Sequence, residues 1–238
     1  MKKIDSQILC FRTAFTNSYL VKLPNGYLLV DTGYQNRYEQ FLEELKATRI
    51  ELHEITYLML THHHEDHAGF ARKLLLNSKA KLVIHENALP FLAEGTHENR
   101  GEHWNPWVHQ LITPFSRILS HKYPPLKIRK DDIILQNDNP MKISDLGLNG
   151  KIVYTPGHSS DSISLVLQDG KAIVGDAAMN LLNLGETRYR PFFIQDIDDV
   201  FGSWKKLIEF EVRTIYPSHG RPFSVEKLIR NLHSAKTS

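Results

Sequence analysis

Cysteine is almost missing from this 238-residue chain: Cys10 stands alone. A single cysteine excludes an intrachain disulfide and makes the cytoplasm the expected compartment. Cys10 lies in the apolar run Ile8–Phe11 and reads as a small buried hydrophobe. Charge of one sign is lacking too. There are 29 basic and 27 acidic residues, a formal net charge of +2. No strong field therefore marks the chain for nucleic acid or for a membrane surface. No apolar run is long enough to span a membrane. The opening Met1-Lys2-Lys3-Ile4-Asp5-Ser6 lacks the apolar core of a signal peptide. Gly-x-Ser-x-Gly is absent, which argues against a covalent serine hydrolase. The zincin pattern His-Glu-x-x-His is absent as well, because His63 is followed by His64. What is present is 41% apolar residues, enough for a single domain over 1–238 with a substantial core.

The most informative stretch is Thr61-His62-His63-His64-Glu65-Asp66-His67-Ala68-Gly69. His62, His64, Asp66 and His67 stand in the order His-x-His-x-Asp-His. Imidazole and carboxylate are donors for zinc, iron or manganese. The apolar run Ile55–Leu60 before them predicts a buried strand. Phe70, Leu74 and Leu75 after them predict a helix over about 67–78. On the loop between, His62 and His64 converge on one point while His63 faces away. Asp66 and His67 face a second point nearby.

Neighbouring donors fill only part of a coordination shell. Four other fragments have the form of a strand running into a donor beside glycine. They are Tyr27–Gly33 with Asp31, Val153–His158 with Pro156-Gly157-His158, Ala172–Asp176, and Thr214–Gly220 with His219. Glycine lets the backbone turn sharply at such strand ends.

With these fragments in this order, the chain resembles the metallo-β-lactamase superfamily from about Asn17 to Gly220. The resemblance implies an α/β (α+β) fold, an αββα four-layer sandwich with its metals at one edge. It implies two divalent ions, zinc foremost, with iron or manganese as the other choices. His62, His64 and His158 would hold one ion, and Asp66, His67 and His219 the other. Asp176 would bridge them. Asp31 would orient the histidine loop from behind. The implied reaction is hydrolysis by a hydroxide that the ions activate, with Asp66 orienting it or relaying a proton.

Branches of the family differ in their donors. Many true β-lactamases of this fold carry a cysteine ligand and are secreted; here Asp176 takes that place. Such an Asp looks like the glyoxalase II, lactonase and RNase Z branches. The chain after His219 is too short for the helical extension of glyoxalase II. RNase Z calls for a basic exosite that the composition does not offer. Lactonases often carry a Tyr three residues past the bridging Asp; here Met179 stands there. Tyr189, beside Arg188, is the candidate to replace that Tyr, with a solvated loop as the plain alternative. The preferred reading is a hydrolase of an ester, lactone or thioester. A mononuclear iron dioxygenase of the persulfide-oxidising kind is the alternative from another class.

Residues 87–123 read as a helical insertion. Trp104, Trp107, Leu111, Phe115 and Leu119 recur at helical spacing. Asn105-Pro106 and Thr113-Pro114 each pair an N-cap with a proline at the first helical position. Two short helices are expected. They serve as a self-packed insertion, an apolar lid or a homodimer surface. A lid would suit a small-molecule substrate with an apolar or acyl portion, touched by Trp104 and Trp107. His97, His103, His109 and His121 are expected to be solvated rather than ligating.

Overall fold

Alternating apolar positions build two sheets that share one interior. The computed structural model describes residues 1–13, 15–97, 102–103, 122–181 and 189–235. The first sheet has seven strands in the order β1 (Lys2–Lys3), β2 (Ile8–Arg12), β3 (Asn17–Leu23), β4 (Gly26–Val30), β5 (Ile55–Met59), β6 (Lys81–His85) and β8 (Ile133–Leu135). The second has six, in the order β15 (Phe223–Ser224), β14 (Thr214–Pro217), β12 (Lys171–Gly175), β11 (Ile163–Leu167), β10 (Gly150–Tyr154) and β9 (Met141–Lys142). A small third pair joins β7 (Glu102–His103) to β13 (Phe193–Ile194).

The period of two decides which residue enters which layer. Tyr19, Val21, Leu28 and Val30 point between the sheets, where they meet Ile152, Leu165 and Ile173. Leu20 and Leu29 point the other way, onto a second core. That core is closed by α1 (Tyr38–Ala47), α3 (Ala71–Asn77) and α4 (Leu89–Glu94), through Phe41, Leu45, Leu74 and Leu92. Ala172 and Val174 turn to a third core under α5 (Ile197–Glu209) and α6 (Glu226–Ala235), with Val200, Trp204 and Leu228. The layers are helix, sheet, sheet, helix, the expected sandwich. No described helix is long and apolar enough to cross a membrane.

Strand direction gathers the candidate donors. β4, β5 and β6 are mutually parallel, so Asp31 and His62 leave the first sheet at the same edge. β10 and β12 both run antiparallel to β11, and β12 runs parallel to β14. His158, Asp176 and His219 therefore leave the second sheet at one edge as well. Two backbone hydrogen bonds join these edges: Ile163 N donates to Thr61 O at 2.8 Å and Asn17 N to Ser218 O at 2.8 Å. At Gly175, φ is +55° and a Cβ would lie 2.4 Å from Thr61 Oγ1. Only glycine lets the Asp176 strand come this close to the histidine loop.

Two expectations are corrected. The helix expected over 67–78 is two segments, α2 (Glu65–Ala68) and α3. The break falls at Gly69 and Phe70, where a Cβ on Gly69 would sit 2.5 Å from Gln35 N and 2.6 Å from Gly33 O. The chain must bend there to let the Gly33 loop pass. His97 is not solvated: its side chain is 16% exposed and pairs with Glu65. Within 87–123, α4 and Tyr123 join the first core. The two expected helices, with Trp104, Trp107, His109 and His121, lie outside the described residues.

Candidate metal centre

Asp31 follows β4 in the left-handed region, with φ of 59°. Its carboxylate is fully buried and accepts from Thr61 N at 2.7 Å, Thr61 Oγ1 at 2.7 Å and Ser218 Oγ at 3.2 Å. It also accepts from His67 Nδ1 at 2.9 Å. One carboxylate thus ties the ends of β4, β5 and β14 to the first turn of α2. Asp is among the few non-glycine residues that tolerate this backbone region, and its hydrogen bonds compensate the cost.

The histidine loop and the Pro-Gly-His loop place three ring nitrogens almost equidistantly. His62 Nε2 lies 3.1 Å from His64 Nδ1 and 3.2 Å from His158 Nε2. His158 Nε2 lies 3.1 Å from His64 Nδ1. Donors about 2.0–2.1 Å from a tetrahedral ion stand about 3.3 Å apart, so this triangle has the size of one face of such a shell. Beside it, Asp66 Oδ2 lies 3.1 Å from His219 Nε2, and Asp66 Oδ1 lies 3.5 Å from His67 Nε2. Asp176 reaches both groups. Its Oδ1 is 3.6 Å from His67 Nε2, while its Oδ2 is 3.3 Å from His219 and 3.7 Å from His158. All seven residues named from the sequence meet at this edge.

The remaining ring nitrogens show which atoms carry protons. His158 Nδ1 donates to Phe193 O and His219 Nδ1 donates to Phe15 O, both at 2.8 Å. A carbonyl only accepts, so each Nδ1 bears the hydrogen. The single hydroxyl proton of Thr61 goes to Asp31, so Thr61 Oγ1 accepts from His62 Nδ1, 3.1 Å away. The lone pairs of His62 Nε2, His64 Nδ1 and His158 Nε2 then converge on one point. His67 Nε2 and Asp176 Oδ1 are buried without a hydrogen-bond partner among the described residues. Converging lone pairs and orphaned buried polar atoms call for a cation. The residues present fit divalent ions.

Electrostatics divides the cluster in two. Burial, joined by its histidine neighbours, holds His62 and His64 well below the usual imidazole range. Burial also lowers His67, but Asp66, Asp31 and Asp176 outweigh it and raise His67 to about 9. The same balance raises His219, where Asp176 and Asp66 overcome burial. Burial raises Asp66 and Asp176, yet the adjacent histidines bring both below the usual carboxylate value. One trio is a set of neutral imidazoles. The other is a set of compensated charges.

Other candidates are placed less directly. Tyr189 is half-buried, with φ of 68° and its ring 4.6 Å from that of Phe223. Arg188 lies outside the described residues, like Trp104 and Trp107. Three contacts had no reading in the sequence. His63 points away from the centre and pairs with Asp161. His97 stacks on His64 with ring centroids 4.9 Å apart. Thr16 Oγ1 donates to Asp66 Oδ2 at 3.2 Å. Only His63, lying inside the motif, carried a signal of its own.

Known proteins resemble this chain over most of its length. The chain is 25% identical over 207 residues to a beta-lactamase-like protein 2 homolog of Caenorhabditis elegans, covering 86% of this chain and 56% of that protein. It is 25% identical over 224 residues to the probable metallo-hydrolase YflN of Bacillus subtilis, covering 87% and 81%. An atrochrysone carboxyl ACP thioesterase of Aspergillus fumigatus is 25% identical over 207 residues, covering 86% of this chain and 50% of that protein. The chain thus spans about half the length of two of these relatives. A metallo-beta-lactamase family protein of Thermus thermophilus superposes with a TM-score of 0.66 at 19% identity, covering 97% of this chain and 79% of that one. Residues 12–219 match the metallo-beta-lactamase superfamily, and the chain belongs to that family.

Proposed function

We propose that the chain is a hydrolase of an ester, lactone or thioester, with two divalent metal ions held side by side. The observation that carries this reading is Asp176, whose two oxygens face both donor trios. His62, His64 and His158 would hold one ion, Asp66, His67 and His219 the other, with Asp176 between. Zinc suits this nitrogen-rich set best, with iron and manganese as its competitors. When bound, such ions supply Lewis-acid activation of water and of the substrate carbonyl.

The protein's own residues do the rest. Asp31 holds His67 in one tautomer and one orientation. Asp66 is 14% exposed against 6% for Asp176, so it is the carboxylate placed to exchange a proton with a leaving group. Thr16 and His219 hold its Oδ2. The Phe15 carbonyl fixes His219, and the Phe15 side chain is 64% exposed. That apolar surface suits an acyl portion on a small-molecule substrate. The thioesterase relative supports the thioester arm. Buried Cys10 suits a reducing, cytoplasmic setting.

A panel of lactones, thioesters and phosphodiesters, run on zinc-, iron- and manganese-loaded protein, tests the reading. Turnover of a carbonyl ester class with two ions per chain is expected. One iron per chain with oxygen uptake would sink it.

A further inference from the structure

His63 lies between two candidate ligands but faces away from them. Its Nδ1 is 2.8 Å from Asp161 Oδ1, and neither side chain is exposed at all. Asp161 is three positions past His158, on the other donor loop. The two loops leave different sheets: 61–64 follows β5, and 155–162 joins β10 to β11. The pair therefore joins the carrier of His62 and His64 to the carrier of His158, on the side opposite the converging nitrogens. We infer that His63 and Asp161 form a positioning pair that locks these two loops together and sets the metal affinity of the His62, His64, His158 trio, not that of the second trio. This rests on the metal reading given above.

Three observations support it. First, the pair is braced. The His63 ring stacks on Phe91 of α4, with centroids 4.2 Å apart and planes 19° apart. The Asp161 turn is pinned where Tyr154 Oη and Asn87 Nδ2 each donate to Ser160 O at 2.8 Å. A braced pair transmits position; a loose one does not. Second, the trio spans the two loops, and its nitrogens are only 3.1–3.2 Å apart. A small slip of one loop would open that triangle. Third, the second trio is oriented from elsewhere. His67 O accepts from Thr32 N and Thr32 Oγ1, each at 2.7 Å. Asp66 is held by Thr16, and His219 by the Phe15 carbonyl. None of these contacts passes through Asp161.

The energetics point the same way. Burying an ionisable pair costs desolvation, and well-packed apolar residues are often at least as stabilising. An apolar side chain at position 63 would still pack on Phe91. What it would lose is direction, the property that outer partners give to metal ligands.

The test isolates each trio. His219→Ala disables the second trio and His64→Ala the first. Asp161→Ala and Asp161→Asn are placed in each background, and zinc affinity is read by competition with a chromophoric chelator. In the His219→Ala chain, Asp161→Ala is expected to weaken zinc about ten- to a hundredfold. Asp161→Asn keeps the shape and one acceptor for His63, and should recover part of that loss. In the His64→Ala chain both changes should stay within about twofold. Circular dichroism of the metal-free chains checks folding. If Asp161→Ala does not fold, Asp161→Asn alone decides, by whether its loss is confined to the first background. Equal weakening in both backgrounds makes the pair a general buttress and overturns the inference. Zinc that binds the His219→Ala chain and ignores Asp161 overturns the inference alone. A His219→Ala chain that takes up no zinc overturns the metal reading and the inference with it.

Discussion

Asp31 and His67 are joined by a 2.9 Å hydrogen bond, although 36 positions separate them. The bond fixes Nδ1 of His67 on Asp31 and leaves Nε2 facing the centre. The same carboxylate receives Thr61 and Ser218, so one residue registers three segments of the centre.

Asp31→Asn keeps the size of the side chain and tolerates the left-handed backbone. It loses one acceptor oxygen and leaves a buried donor unpaired. A loss of about 2–3 kcal/mol is expected, read from urea unfolding of the metal-free chain. Zinc affinity should fall about ten- to a hundredfold. An unchanged affinity would remove Asp31 from the machinery of the site.

Asp176→Ala takes away the carboxylate whose oxygens face both trios. Its loss should reduce uptake from two ions to one or none, measured by elemental analysis after gel filtration. Turnover should drop by about 10²–10³ or more, the scale of losing a central electrostatic group. A variant that keeps two ions and full turnover would leave Asp176 without a role.

Most of the site was legible because its donors sit on strand ends. A strand running into Gly-Asp or Pro-Gly-His announces a turn, and the parallel direction of the strands does the gathering. The four layers were implied by the family resemblance, and the two sheets with their flanking helices form them. Contacts between distant loops were not legible. Nothing in Ser159-Ser160-Asp161 indicates that Asp161 turns inward to meet His63, 98 positions away. His97 reads as polar and loop-borne, and only the return of the chain past α4 brings it onto His64. The helix break at Gly69 was hidden because its cause is the backbone of Gly33 and Gln35, not the local apolar pattern.

Trp204 packs behind the centre. It is wholly buried, and its Nε1 donates to Ala177 O at 2.7 Å, next to Asp176. Trp204→Ala should cost about 3–5 kcal/mol through the cavity it leaves. Trp204→Phe should cost less while still leaving the Ala177 carbonyl unpaired. Thermal unfolding of the two variants measures the order. Equal melting points for both and for the parent would contradict the packing described.

Burial raises the Cys10 thiol to about 11. The reactive thiolate is then scarce at pH 8, and the sulfur is shielded as well. Alkylation by iodoacetamide at pH 8 should proceed only after denaturant is added, as followed by mass spectrometry. Rapid labelling of the native chain would place Cys10 outside the core.

The second trio should exchange protons for metal. In the metal-free fold, burial lowers His67, but Asp66, Asp31 and Asp176 outweigh it and bring it to about 9. The unfolded reference lies near 6.5. A raised imidazole contributes stability that is fully present below about pH 6.5 and is lost as pH climbs through about 9. The metal-free chain should therefore lose stability across that window. An incoming ion needs the same Nε2 and must displace its proton. Zinc affinity should rise about tenfold per pH unit between pH 6 and 8 for each proton displaced. His219, raised by Asp176 and Asp66 against burial, adds a second exchanging group. Calorimetric titrations in buffers of different protonation enthalpy count the protons, and one or more per chain are expected near pH 7. No proton release, with an affinity flat from pH 6 to 8, would mean that His67 is already bare and that its carboxylates do not govern it.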